Sequence, residues 1–168
     1  VRYCSEEELK QIMKARPNLK VVGTRWVLTE KDLDTFKARL VVQGCQERDL
    51  NIRTDAPTGS RDAFWLTAAF AAQTGWDGAF FDAKSAYLQA EGIDRTLLIK
   101  MPLESPALGT KPGQIFFATG SIYGTKDAGR SWYLHLKSVL KKYEIYESKL
   151  ERGFYYLAHK GEIVMVVH

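Results

Sequence analysis

Apolar and polar positions alternate along this chain with two periods. Ser5 followed by Glu8 forms a capping-box pattern, and Leu9, Ile12 and Met13 then recur at helical spacing. A short helix is predicted over residues 6 to 14, ended by Pro17 and Asn18. Residues 21 to 29 (VVGTRWVLT) and 38 to 42 (ARLVV) are β-branched and apolar, and a polar stretch, EKDLDTF, separates them, which predicts a β-hairpin over residues 20 to 44. Period-two alternation places Lys37, Arg39, Val41 and Gln43 on one face of its second strand and Ala38, Leu40 and Val42 on the other.

Residues 45 to 61 are polar and turn-rich, with Pro57, Gly59 and Ser60. The helix predicted over residues 61 to 73 is apolar on most sides: Phe64, Ala68 and Ala71 line one face, and Trp65, Ala69 and Ala72 the next. That pattern predicts a buried helix, stopped by Gly75. Strands are predicted at 78 to 83, 96 to 101 and 114 to 119, with a proline-containing loop at 102 to 113. Trp132, Leu136, Val139, Leu140 and Tyr143 form the apolar stripe of a second helix from about Asp127 to Tyr143. Strands at 153 to 158 and 162 to 168, joined by His159, Lys160 and Gly161, predict a closing hairpin.

Composition narrows the possibilities only a little. The 168 residues are 45% hydrophobic and 26% charged, as in ordinary globular proteins, with net charge +4. This mild basicity permits a nucleic-acid partner. No apolar run approaches the roughly 18 residues of a membrane span. Cys4 and Cys45 lack Cys-x-x-Cys spacing and read as reduced thiols, and the three histidines lack zinc-ligand spacing. The missing initiator Met and the abrupt end within a strand point to a chain cut from a longer one.

One carboxylate stands out. Asp82 follows Ala79, Phe80 and Phe81, a run that reads as buried strand, and burying a charge is costly unless it is paired. Three explanations fit: a turn cap; an ion pair with Lys84, Lys100 or Lys126; or a ligand to a hard cation such as Mg²⁺. Two-metal phosphoryl transfer normally needs a second carboxylate, and Asp77, Asp94 and Asp127 are the nearest in sequence. On their strand, Lys37 and Arg39 read either as a solubilising edge or as a clamp for phosphate oxygens.

Seven stretches occur in order: TRWVL, KARLVVQG, TDAPT, FFDAKSAYLQ, LIKMP, IYGTKDAGRSWY and EIVMVVH. From about Trp26 to the last residue, this series resembles the reverse transcriptase domain of copia-type retrotransposons. The resemblance implies an RNA-directed DNA polymerase of the α+β class, with right-hand fingers and a partial palm. It places a fingers-like segment at 1 to 60 and a palm at 61 to 168, with a fingers insertion at about 100 to 130. The implied palm is an antiparallel sheet of 78–83, 153–158 and 162–168 backed by the two long helices.

The resemblance makes Asp82 the metal-binding aspartate of the first catalytic motif, with the carbonyl of Ala83 as a further ligand. Two Mg²⁺ ions would then assist in-line attack of a primer 3′-OH on a dNTP. Tyr87 matches the aromatic that would clash with a ribose 2′-OH, and Lys37 and Arg39 would contact the triphosphate. Gly124, Lys126, Arg130 and Trp132 match a block near template and nucleotide. Asp127 stands where that block has Gln, and Gly129 where it has Pro; a negative charge there is unfavourable beside a triphosphate. The implied partners are an RNA or DNA template-primer, dNTP, and the remaining palm, thumb and RNase H of the same polyprotein. The implied setting is a cytoplasmic particle or the nucleus. Because the second catalytic motif, an Asp-Asp pair, falls after His168, the chain alone is expected to be inactive. A decayed or repurposed nucleic-acid-binding protein is the alternative, and a nuclease built on Asp82 a distant third.

Overall fold

The computed structural model describes every residue except 33, 48–50, 91, 105–108 and 160–161. Helix α1 (Glu6–Ala15) starts where the capping box demands. The Ser5 hydroxyl accepts from the Glu8 N–H at 3.1 Å, and the Glu8 carboxylate accepts from the Ser5 N–H at 3.0 Å. Strands β2 (Val21–Asp32) and β3 (Thr35–Val42) then form the predicted hairpin. Pairing of Arg25 with Val41, Val27 with Arg39 and Thr29 with Lys37 puts Lys37 and Arg39 on one face, as the alternation requires. Leu28 and Phe36 stand exposed towards the tip, and Leu33 lies outside the described residues.

A short strand near the N-terminus, β1 (Arg2–Tyr3), has no strong local signal and is held by its partner. β4 (Leu98–Lys100) and β5 (Ile115–Phe117) fall within the predicted strands and complete a five-stranded sheet of order β1-β5-β4-β2-β3. Its β2–β4 pair is parallel and the other pairs are antiparallel. Val22, Val42, Leu97, Ile99, Met101 and Ala118 form its buried core. Burying each of the larger side chains contributes about 1.5–3 kcal/mol.

The end of β3 is tied to the turn at residues 121 to 125 by close backbone contact. The Val42 N–H donates to the Tyr123 carbonyl at 2.7 Å, and the Gly44 N–H to the Gly124 carbonyl at 3.2 Å. Gly124 has φ +87°, and a Cβ there would lie 2.1 Å from the Val42 carbonyl oxygen. Only glycine fits both conditions.

Helix α2 (Arg61–Thr74) begins at its Ser60 cap and ends at Gly75 in the left-handed region, as predicted. A short helix, α3 (Ala86–Gln89), precedes β4, and the second long helix, α4 (Ala128–Lys142), matches its apolar stripe. A second sheet has the order β6-β7-β8, made of β6 (Tyr146–Glu147), β7 (Phe154–His159) and β8 (Glu162–Val167). The turn predicted between β7 and β8 includes residues 160 and 161, which lie outside the described residues. The loop before α2 grips this sheet: the Gly59 N–H donates to the His168 carbonyl at 2.5 Å, and the Ser60 N–H to Glu151 Oε1 at 2.9 Å. Mixed helices and sheets confirm the α+β expectation. Among the described residues no helix is long and apolar enough to cross a membrane.

Two expectations fail. Residues 78 to 83 form no strand, and Phe80 and Phe81 are 91% and 77% exposed. An apolar run becomes a strand only when another strand accepts its backbone hydrogen bonds. In the second sheet the third strand is β6, and β8 is an edge. Helix α2 is likewise not buried: Ala63 is its one buried residue, and Trp65 and Leu66 are exposed. Its all-round apolar surface exceeds what a three-stranded sheet touching one side can cover.

Glu147 on β6 locks α4 to the second sheet. Its nearly buried carboxylate accepts from the Tyr133 hydroxyl at 2.8 Å, Lys137 Nζ at 2.5 Å and the Gly153 N–H at 3.1 Å. Burial pushes its carboxyl upward, but Lys137, Gly153 and Tyr133 outweigh this and hold it below the usual carboxylate range. A lowered folded-state pKa stabilises the fold above the unfolded value and is lost as pH falls through the folded one. Denaturation midpoints should therefore decline below about pH 4.5. Glu147→Gln should be less stable near neutrality and show a shallower acid decline. An unchanged slope would remove Glu147 from the acid response.

Candidate active site

A pocket of about 870 Å³ opens between β3, the segment preceding α3 and the chain from Thr119 to Tyr123. Ile99 and Phe116 of the first sheet, with Met101 just beyond β4, contribute apolar wall. Lys37 and Arg39 reach it from β3, and Asp82, Lys84 and Ser85 from the other side. The structure thus brings together two stretches that sequence alone could only place in order.

Lys37, Asp82 and Lys84 are exposed and Arg39 is half-buried, and none of them joins an ion pair among the described residues. Three cations and one anion leave the pocket with a net positive charge, which favours a polyanionic ligand. Asp82 needs no partner because it is not buried; an exposed carboxylate keeps its hydration. The ion pairs considered with Lys84, Lys100 or Lys126 do not form. The terminal hairpin contributes nothing to the described lining of this pocket.

The remaining candidates separate into near and distant groups. Tyr87 is half-buried and packs edge-on against Tyr123, a pocket residue, with ring centroids 5.3 Å apart. Ala83 follows Asp82 directly, is half-buried, and is not among the lining residues. Gly124 and Lys126 also fall outside the lining. Gly124 permits the backbone contact with β3, and Lys126 Nζ donates to the Glu47 carbonyl at 2.7 Å.

That bond belongs to a charged cluster with no local sequence signal. Arg95 Nη2 donates to Glu47 Oε2 at 2.9 Å, and Arg95 Nη1 pairs with Asp127. The Asp127 charge, unfavourable by comparison with the Gln-containing block, is thus met by Arg95 and lies outside the Lys37–Arg39 pocket. Nearby, Arg53 and Arg130 hold the Asp55 carboxyl below its usual range, with contacts of 3.0 Å and 2.6 Å. Sequence reasoning assigned no ligand role to Lys84 or Ser85. The available signal was spacing, since Lys84 lies two residues beyond Asp82. Ser85 sits in the left-handed region at φ 54°, ψ 43°, a conformation that costs a non-glycine residue and that tends to cluster at functional sites.

Among the described residues no three His, Cys, Asp or Glu side chains cluster as metal ligands. Asp82 is the single carboxylate in the described lining of the pocket, which it shares with Lys37, Arg39 and Lys84. This arrangement does not fit a pair of Mg²⁺ ions, which need several hard oxygen ligands.

Comparison with known proteins adds three findings. Residues 7–168 match the family model described as reverse transcriptase (RNA-dependent DNA polymerase). The chain is 28% identical over 131 residues to the retrovirus-related Pol polyprotein from transposon RE2 of Arabidopsis thaliana, covering 74% of this chain and 9% of that protein. It is 25% identical over 156 residues to the corresponding polyprotein from transposon RE1 of the same plant, covering 88% of this chain and 10% of that protein. The chain therefore spans about a tenth of the length of these relatives. No solved structure matches it.

Proposed function

Because this chain belongs to the reverse transcriptase (RNA-dependent DNA polymerase) family, we propose that it supplies the incoming-nucleotide side of a copia-type RNA-directed DNA polymerase. Residues 1 to 60 serve as a fingers-like segment and 61 to 168 as part of the palm, with a fingers insertion at about 100 to 130. Lys37 and Arg39 hold the triphosphate of a dNTP, Asp82 contributes one carboxylate, and Tyr87 stands beside the sugar. Ala83 adjoins that carboxylate, while Gly124 and Lys126 support the nucleotide site from behind. The observation that carries this reading is the convergence of Lys37, Arg39 and Asp82 on one pocket.

Two Mg²⁺ ions are the cofactor that family membership implies, and the residues described here do not make a site for them. Nucleotidyl transfer to a primer 3′-OH is accordingly a property of the longer polyprotein. The isolated 168 residues should show no primer extension with Mg²⁺, dNTPs and an RNA or DNA template-primer. Extension above background would overturn the assignment of one carboxylate to a shared metal site. The surplus positive charge of the pocket favours a second reading, a chain that binds nucleic acid without catalysis. Filter binding separates the two: retention of template-primer that falls steeply with salt supports binding through phosphates. No retention at low salt removes the second reading.

A further inference from the structure

The cations around Asp82 outnumber what the family reading uses. Lys84 lines the same pocket as Lys37 and Arg39, is exposed, and forms no ion pair among the described residues. Its position is braced. The Lys84 carbonyl accepts from Gln89 Nε2 at 2.6 Å, and Ser85 turns the chain through a left-handed conformation into α3. A flexible tail would not keep such a conformation; it persists where surrounding contacts determine it.

We propose that this pocket binds a polyphosphate without a divalent ion, and that Lys84 is a phosphate ligand alongside Lys37 and Arg39. The inference rests on the reading of the pocket as a nucleotide site and goes beyond it in two respects. Neutralisation of the phosphate oxygens falls to three side-chain cations rather than to a metal. Asp82, the one anion there, opposes such a ligand instead of helping to hold it. The pocket volume, about 870 Å³, is ample for a triphosphate and leaves the apolar wall of Ile99, Met101 and Phe116 for the rest of a nucleotide.

Isothermal titration of the whole chain with sodium tripolyphosphate, in EDTA and then in Mg²⁺, tests this. Binding should be measurable in EDTA and should not require Mg²⁺. Lys84→Gln should weaken it by about tenfold, the scale of one charge-assisted contact. Asp82→Asn should tighten it severalfold by removing the opposing charge. Circular dichroism melts of each variant establish that the fold is retained. Binding that requires Mg²⁺, is lost in Lys37→Gln/Arg39→Gln and is untouched by Lys84→Gln would overturn this inference while supporting the nucleotide-site reading. Weakened binding in Asp82→Asn would also overturn it. Absence of binding under both conditions would overturn the inference and the nucleotide reading together.

Discussion

Replacing Gly124 with alanine should cost about 3–5 kcal/mol of stability, combining a left-handed backbone unfavourable to an L-residue with overpacking against immobile atoms. The first obstacle to the new methyl group is backbone: the Val42 carbonyl oxygen would be 2.1 Å away, with Val41 Cγ1 at 2.6 Å. Neither the end of β3 nor the turn can retreat without breaking the Val42–Tyr123 and Gly44–Gly124 hydrogen bonds. Folded domains have only about 5–15 kcal/mol in hand, so Gly124→Ala should give a lower denaturation midpoint or an insoluble product. A midpoint equal to the parent's would mean that the close approach is not needed. The same turn carries Tyr123 into the pocket, so the motif glycine secures the site from outside it.

Arg95→Ala should be of similar size, for an electrostatic reason. The side chains of Glu47 and Asp127 are 5% and 16% exposed, and both direct an oxygen at this one guanidinium. Removing one partner of a buried ionic group leaves uncompensated charge, at a cost of about 3–5 kcal/mol. Adding Glu47→Gln and Asp127→Asn to Arg95→Ala should restore much of that loss, because the triple variant buries no net charge. Urea denaturation of the parent, Arg95→Ala and the triple variant decides it. Failure of the triple variant to recover would show that Arg95 acts through packing of its stem rather than through its charge.

Where local chemistry determines structure, sequence patterns read it well. The Ser5–Glu8 box places α1, alternation places Lys37 and Arg39 on one face, and the stripe from Trp132 to Tyr143 places α4. Where a partner distant in sequence decides, the patterns fall short. Phe80 and Phe81 are as apolar as any core strand, yet their fate depends on whether another strand is available. The pairing of Val21 with Leu98 leaves no local mark, and β1 and β6, two residues each, are too short to have a period. The Glu47–Arg95–Asp127 cluster was invisible for the same reason: three charges far apart in the chain look like three solvated side chains. At the candidate site, the ordered motifs identified Lys37, Arg39 and Asp82, while their shared pocket and the addition of Lys84 required coordinates.

The first sheet also has a consequence for how the molecule acquires its shape. Its second and third strands are neighbours in the chain, but its first strand joins only through Ile115–Phe117, more than a hundred residues later. On the ribosome, the β2–β3 ribbon can zip up as soon as it emerges, and then waits for Leu98 and its successors. Contacts so widely separated slow the search for the native state. During that wait the ribbon's exposed Leu28 and Phe36 are joined by a still-uncovered Val22, a run of apolar surface of the kind that makes a nascent chain prone to association.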